Sequence, residues 1–393
     1  MYSIQVIDNI SPKGLELFDK SVYEVGKDFN NPDAMLVRSS KLHDYKFSDH
    51  LKAVGRAGIG TDNIPVEQLT KQGIPVFFAP GANSNAVKEL VLAALLISYR
   101  NLEQSHSFLS SLSHNNQTDM HHEIETRKKQ FVGREIHGKT LGVVGLGNIG
   151  VKVANAALAL GMQVNAYDPF ISVSNALALM PGVHIVKSLP ELLSNADIVT
   201  LHVPLMSNTT NLINDSNIHL LKKSAMLMNF SREKVVSEQA ILKQLNDDLL
   251  MSYVTDFPTV NLAHHARVLC FPHLGASTVE AEENSASMVV HSVKNYLEHG
   301  IIENAVNFPP TVMPLLDRSE IKRILIINRN TKGIIAEVTN ILSNDGYNIE
   351  QMVNTSLDKI AVNLIDISCQ NVLDSDLDRR IKAINDVIKV RVI

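Results

Sequence analysis

The stretch Thr140-Leu-Gly-Val-Val-Gly-Leu-Gly-Asn-Ile-Gly150 reads as a short apolar strand, a tight glycine turn and the first turn of a helix. Its glycines, Gly145, Gly147 and Gly150, fall in the spacing G-x-G-x-x-G. Each has a physical task when a dinucleotide binds. The first permits the turn, the second lets the backbone approach a pyrophosphate, and the third lets helix and strand pack closely. The helix N-terminus adds N–H groups without helical partners and the positive end of a dipole. Spacing alone is weak evidence, but here the context agrees with it. Residues 141–144 precede the turn as a strand, and residues 151–160 follow it as a helical pattern closed by Gly161. A second strand, residues 163–167, then delivers Asp168, the acid expected roughly 20 residues on to accept hydrogen bonds from an adenosine ribose diol. A carboxylate there repels a 2′-phosphate, so the motif predicts NAD rather than NADP.

Around this motif the chain has 393 residues, 45% of them hydrophobic and 20% charged, enough for two or three domains with a large core. A formal net charge of −5 gives neither a nucleic-acid footprint nor a polybasic membrane face. Cys270 and Cys369 stand far apart and make neither a disulfide framework nor a zinc pattern, which suits the cytoplasm. The N-terminus lacks the basic and apolar regions of a signal peptide. No apolar run approaches the ~18 residues of a membrane span.

Strand-like runs at residues 4–7, 34–37, 53–54 and 76–79 alternate with helical stretches, and residues 87–99 read as a buried helix. Residues 110–130 are polar and histidine-rich, an exposed helix or loop. Further strands are expected near 141–144, 163–167, 184–186, 198–201, 225–229, 252–255 and 268–270. Several are apolar almost throughout, as in a parallel sheet covered on both faces. The dinucleotide turn follows about 140 residues that are themselves α/β. The predicted fold is therefore α/β with two Rossmann-like lobes, the second inserted into the first. The substrate lobe takes residues 1–98, completed by 287–312, and the NAD-binding lobe takes 99–286. Pro309, Pro310 and Pro314 mark a linker, placed at 313–321. Residues 322–393 then read as βαββαβ, a ferredoxin-like unit.

Hydride transfer to NAD needs an anchor for a carboxylate and a group that exchanges a proton with the reacting oxygen. Arginine suits the first with its planar, permanently charged fork, and histidine suits the second with a pKa near neutrality. Arg232 follows the strand at 225–229 and His273 follows the strand at 268–270. Open α/β sheets bind ligands at these strand ends. A lone arginine or histidine in a loop is ordinarily a surface residue, and it is position that singles out these two.

The chain resembles the D-isomer-specific 2-hydroxyacid dehydrogenases, closest to those members that act on phosphoglycerate and bear a C-terminal ACT domain. The resemblance runs through Gly58-Ile-Gly-Thr-Asp-Asn-Ile64, Ala79-Pro-Gly-Ala-Asn-Ser-Asn-Ala-Val-Lys-Glu-Leu-Val91, the Gly145–Gly150 turn and Tyr167-Asp-Pro169. It continues through Leu201-His-Val-Pro-Leu205, Asn229-Phe-Ser-Arg232, Thr255-Asp-Phe-Pro258 and Pro272-His-Leu-Gly-Ala-Ser-Thr278. It implies NAD-dependent oxidation of 3-phospho-D-glycerate to 3-phosphohydroxypyruvate, the first step of L-serine biosynthesis. Arg232 would hold the substrate carboxylate and His273 would exchange the proton. Asn148 and Ile149 would lie under the pyrophosphate with the three glycines, and Asp168 on the ribose. Val203 and Pro204 would pass the adenine side, Asp256 would meet the nicotinamide amide, and Phe230, Ser231 and Gly275 would complete the cofactor site. Gly58, Ile59, Gly60, Asn83 and Ser84 would wrap the 2-hydroxy acid, with Arg56 as a partner for its phosphate. No metal is implied. A homodimer or homotetramer is expected.

Three departures stand out. Members of the family carry a glutamate after the Asp-Phe-Pro segment, bonded to the histidine; here Val260 and Asn261 stand in its place, and no carboxylate lies between Asp256 and Glu280. A nearby negative charge would stabilise an imidazolium, and that charge is missing. Glu233 follows Arg232 where the family has glycine. If that position requires positive φ, a glutamate there is strained. In the C-terminal unit, Asn330 and Asn348 match positions that hold serine in serine-inhibited members, while Asn328 stands in place of a histidine and Lys332 in place of a proline. Serine is therefore an expected effector, against a purely structural dimerisation unit. The alternatives to phosphoglycerate oxidation are a glyoxylate or hydroxypyruvate reductase and a catalytically weak NAD(H)-sensing protein. His202, beside the crevice, reads as packing, and His114, His121, His122, His264 and His265 lack metal-ligand spacing.

Overall fold

The computed structural model describes residues 1–113, 117–314, 321–368 and 376–393. His114, Cys369 and most of the expected linker lie outside the described residues. The chain begins with β1 (Tyr2–Val6), α1 (Pro12–Leu15), β2 (Tyr23–Gly26), β3 (Ala34–Val37), β4 (Ala53–Arg56), α2 (Val66–Lys71) and β5 (Val76–Phe77). The helices α3 (Ser84–Tyr99), α4 (Leu102–Ser111) and α5 (Gln117–Arg127) follow. Next come β6 (Thr140–Val144), α6 (Asn148–Ala159), β7 (Gln163–Tyr167), α7 (Val173–Leu177), β8 (Val183–Ile185), α8 (Leu189–Asn195) and β9 (Ile198–Leu201). Then come β10 (Met226–Asn229), α9 (Glu238–Asn246), β11 (Ser252–Thr255), α10 (Val260–Ala263), β12 (Val268–Cys270) and the long α11 (Val279–His299). The last elements are β13 (Ile321–Arg329), α12 (Ile334–Asn344), β14 (Asn348–Leu357), β15 (Ile360–Ser368), α13 (Leu377–Lys382) and β16 (Val387–Val392).

Two compact units result, Met1–Asn83 with Val279–Ile393, and Ser84–Thr278. The boundaries fall at 83/84 and 278/279, where the sequence suggested 98/99 and 286/287. Packing explains both. Val87, Val91, Ala94, Leu95 and Tyr99 place α3 in the core of the second unit, while Ala286, Val289, Val290 and Val293 place α11 in that of the first.

In the second unit, seven parallel strands run in the order β12-β11-β10-β9-β6-β7-β8. Successive side chains leave a strand on opposite faces, and both faces are apolar. Leu141, Val143, Ile198, Met226, Met228 and Val254 enter one core, and Val144, Val199, Leu201, Leu227 and Tyr253 the other. The strand order turns back between β6 and β9, which opens a crevice at their C-terminal ends.

The first unit holds a five-stranded parallel sheet, β2-β1-β3-β4-β5, and an antiparallel sheet, β14-β15-β13-β16. The antiparallel sheet has the βαββαβ order read from the sequence. One face packs Ile324, Ile326 and Ile365 against α12 and α13. The other puts Leu325, Ile327, Val362 and Leu364 into the core shared with β1, β3 and α11. Two arginines of this sheet cap α11. Arg391 donates to Tyr296 O (3.2 Å) and Leu297 O (2.8 Å). Buried Arg323 donates to His299 O at 3.3 Å while pairing with Asp366 at 2.6 and 2.8 Å. No helix of the described residues is long and apolar enough to cross a membrane.

Candidate active site

The turn after β6 is built as the glycine spacing requires. Gly145 has φ +91, and a Cβ there would meet His202 O at 2.5 Å. A Cβ on Gly150 would lie 1.9 Å from Gly145 O, so helix and turn touch through their backbones. Gly147 differs from both, because a Cβ there meets nothing within 4 Å. It is the N-cap of α6 and offers no side-chain cap. The N-terminus of α6 is therefore uncapped beside an open position at Gly147, which fits a pyrophosphate. Asp168 stands at the end of β7 and accepts from Leu146 N and Phe170 N, both at 2.8 Å. Each carboxylate oxygen keeps a lone pair for a ribose hydroxyl.

Val203 and Pro204 follow β9 across the crevice from this turn. Ser231 is buried, accepting from Val203 N (3.2 Å) and donating to Leu201 O (2.6 Å), so it ties the ends of β9 and β10 together. Phe230 is 6% exposed and lies in the core, its ring tilted against that of Phe271 with centroids 6.3 Å apart. The sequence assigns both residues to the cofactor, but the structure engages their side chains inside the protein, leaving only backbone for a ligand. His202 is held by Thr200 Oγ1 at 3.0 Å, and burial pushes its ring down to about 3, so it stays neutral.

Arg232 leaves β10 in extended conformation and donates to Ser231 O at 2.8 Å, while Asn229 Nδ2 holds Arg232 O at 2.9 Å. Glu233 opens a short 3₁₀ turn and is absent from the residues with positive φ. The strain expected of a glutamate there does not arise, because the turn bends in the right-handed region. The segment expected to supply a glutamate forms α10, capped by Thr259 Oγ1. Asn261 Nδ2 donates to Glu238 at 2.7 Å and Val260 is 78% exposed.

His273 is exposed, has φ +56, and packs its ring 4.9 Å from that of Phe257. Its N–H donates to Asp256 O at 3.1 Å. Asp256, expected against the nicotinamide, is 2% exposed and accepts from Leu274 N (2.7 Å) and Gly275 N (2.8 Å). Burial raises its carboxyl, opposed by these two bonds and by His273. No sequence pattern signals this use of Asp256, because its partners are backbone amides 18 and 19 residues along the chain.

In the first unit, Arg56 ends β4, donates from Nε to Arg38 O at 3.1 Å, and lays its guanidinium against Gly58, whose φ of +153 suits glycine. Ile59 and Gly60 continue that loop, and Gly58 O accepts from Ala79 N at 2.8 Å. Asn83 keeps a buried Oδ1 without a partner, and Ser84 opens α3.

The expected effector residues are not brought together within one chain. Asn328 is 3% exposed, accepting from Asn363 (2.8 Å) and donating to Arg329 O (2.7 Å). It lies opposite Ala361, whereas Asn348 lies opposite Ser368. Seven residues of strand separate the two, roughly 24 Å. Asn348 Nδ2 donates to Glu350 at 2.9 Å, and Asn330 N to Lys359 O at 2.8 Å.

A family model described as D-isomer specific 2-hydroxyacid dehydrogenase, NAD binding domain, matches residues 92–275. The D-3-phosphoglycerate dehydrogenase of Haemophilus influenzae is 33% identical over 354 residues, 87% of this chain and 81% of that protein. The chain belongs to the D-isomer-specific 2-hydroxyacid dehydrogenase family. The enzyme of the same name from Bacillus subtilis is 34% identical over 327 residues, 79% of this chain but 59% of the relative. The match to the Methanocaldococcus jannaschii enzyme spans 54% of its length, so this 2-hydroxyacid dehydrogenase chain spans little more than half of these two relatives. Among solved structures, the NAD+-bound 3-phosphoglycerate dehydrogenase of Entamoeba histolytica matches with a TM-score of 0.60 and 25% identity, covering 78% of this chain and 98% of that one.

Proposed function

We propose that the chain oxidises 3-phospho-D-glycerate to 3-phosphohydroxypyruvate with NAD. The observation that carries this reading is the open space at Gly147 on the bare N-terminus of α6, in a sheet that presents Arg232 and His273 at other strand ends of the same edge. Bound NAD would supply the hydride acceptor for oxidation at the substrate C2. The protein's own part is positional and protonic. Arg232 pairs with the substrate carboxylate and draws charge toward the carbonyl as it forms. The His273 imidazole takes the proton that leaves the C2 hydroxyl, and returns it in the reverse direction. Asn148, Ile149 and the turn glycines would hold the pyrophosphate, and Asp168 the ribose. Arg56 serves as partner for the substrate phosphate, with Gly58–Gly60, Asn83 and Ser84 along its body.

The C-terminal βαββαβ sheet is proposed as an ACT-type unit in a cytoplasmic homodimer or homotetramer. A serine site using both Asn330 and Asn348 would draw them from two copies. Titration calorimetry with L-serine should show binding, and no heat would overturn that part.

The test of the function is NADH oxidation at 340 nm with 3-phosphohydroxypyruvate, for wild type and His273→Ala. Turnover should fall by about 10²–10⁴ in the variant. Turnover only with glyoxylate or hydroxypyruvate would move the assignment to a reductase of those acids. NADH binding without turnover on any of the three would move it to a sensing protein.

A further inference from the structure

Pro272, His273 and Leu274 are exposed, and His273 has φ +56, a conformation that side-chain-bearing residues adopt rarely. Yet three successive N–H groups of this loop converge on one residue. His273 N reaches the Asp256 carbonyl at 3.1 Å, Leu274 N reaches Oδ1 at 2.7 Å, and Gly275 N reaches Oδ2 at 2.8 Å. Gly275 is fitted to this contact, since a Cβ on it would lie 3.0 Å from Oδ2 and 3.3 Å from Val87 on α3. The carboxylate is 2% exposed, and charge-assisted bonds of this kind are the strong ones. Val260 and Asn261, where a glutamate was expected, are turned to solvent and to Glu238.

We propose that Asp256 is the positioning residue for His273: its buried carboxylate clamps the Leu274 and Gly275 amides and so fixes the imidazole for proton exchange. The catalytic consequence rests on the dehydrogenase reading, whereas the clamp itself does not. Both carboxylate oxygens are engaged by the loop and the group is closed off from solvent, so its hold on the loop does not depend on a bound ligand. A misplacement of the imidazole by about 1 Å is enough to cost on the order of 10²-fold in rate.

The experiment combines three readings on wild type and Asp256→Asn. These are amide hydrogen exchange across residues 271–278, NADH affinity by fluorescence, and kcat with 3-phosphohydroxypyruvate. In the wild type, the Leu274 and Gly275 amides should exchange at least about 100-fold slower than unprotected loop amides. In Asp256→Asn, that protection should fall about tenfold or more, because the amide NH₂ now faces a donor. The kcat should fall about 10- to 100-fold while the NADH Kd stays within about threefold. Unprotected amides in the wild type would overturn the proposal. So would a variant that keeps protection and kcat while its NADH Kd rises about tenfold, the signature of a cofactor ligand. A wild type with no turnover refutes only the dehydrogenase reading, and exchange then decides the clamp alone. If Asp256→Asn does not fold, wild-type exchange together with Asp256→Glu, which keeps the charge on a stem one methylene longer, gives the same decision.

Discussion

Two alanine substitutions in one turn should separate a glycine that serves the fold from a glycine that serves the ligand. At Gly150 the added Cβ would lie 1.9 Å from Gly145 O, so reaching even 3.0 Å demands a retreat of 1.1 Å by backbone on one side or the other. Overpacking of this kind costs about 1–3 kcal/mol, offset by up to about 1 kcal/mol from alanine's better helix propensity. Gly150→Ala should therefore lose about 1–2 kcal/mol in urea denaturation and bind NADH poorly, because the turn itself has moved. At Gly147 the Cβ meets nothing within 4 Å and φ is −73, open to any residue. Reduced freedom of the unfolded chain gains about 0.4–1 kcal/mol, and the poorer N-cap loses a similar amount. Gly147→Ala should thus fold within about 0.5 kcal/mol of wild type. Its methyl fills the space assigned to the pyrophosphate, and a steric cost of about 1–3 kcal/mol there corresponds to a roughly 5- to 150-fold rise in the NADH Kd. Fluorescence titration beside urea melts measures both. Wild-type NADH affinity in Gly147→Ala would refute the placement of the cofactor on this turn, however the other variant behaves.

The remaining predictions concern stability. Arg323 is 5% exposed, and its five N–H groups meet Asp366 twice and the carbonyls of His299, Met313 and Pro314; Arg323→Met should cost about 3–5 kcal/mol in urea, as expected when a buried pair loses one partner. Loss of under 1 kcal/mol would show that the pair does not hold the sheet to α11. The His202 ring titrates at about 3 in the fold and near 6.5 unfolded. The unfolded state therefore binds more protons between these values, and stability is full above pH 6.5 and falls as pH drops toward 3. At pH 4.5 this amounts to about 3 kcal/mol, and His202→Gln should flatten the fall measured by urea melts at pH 4.5 and 7.5; an unchanged slope would mean the ring is not sealed. Converting Asn261, bonded to Glu238 at 2.7 Å, to glutamate should lower stability by about 0.5 kcal/mol through like-charge repulsion and leave kcat unimproved. A kcat gain would show that α10 can rearrange to face His273.

The parts of the fold visible in the sequence are those set by local pattern. β7, β9, β11 and β15 lie at the residues the sequence indicates; β9 is buried along its whole length and apolar but for Thr200, while β7 alternates exposed Gln163 and half-buried Asn165 with buried Val164 and Ala166. β2 carries no comparable pattern, because it is a four-residue edge strand with two exposed side chains, Glu24 and Val25. The allegiance of α3 was hidden for a different reason. Its sequence shows that it is buried but not which core buries it, and only the contacts of Val91 and Leu95 answer that.

The same distinction runs through the site. The glycine turn and Asp168 were legible because a dinucleotide demands particular residues at particular offsets. Arg232 and His273 were legible because strand ends are where an open sheet places chemistry. Asp256 was recognisable as a residue but not by its use. A carboxylate in sequence says only that it will accept hydrogen bonds, and here the donors are backbone amides, which every residue but proline possesses and no pattern distinguishes. Asn328 shows the converse. Its side chain fits a ligand site as well as an interior ladder, and the deciding fact, Asn363 at 2.8 Å, lies 35 residues away on a neighbouring strand. Polar side chains thus reveal which bonds they can make, whereas only the closed sheet decides which they do make. That is why substitution at Asp256 discriminates between two roles that the sequence allows equally.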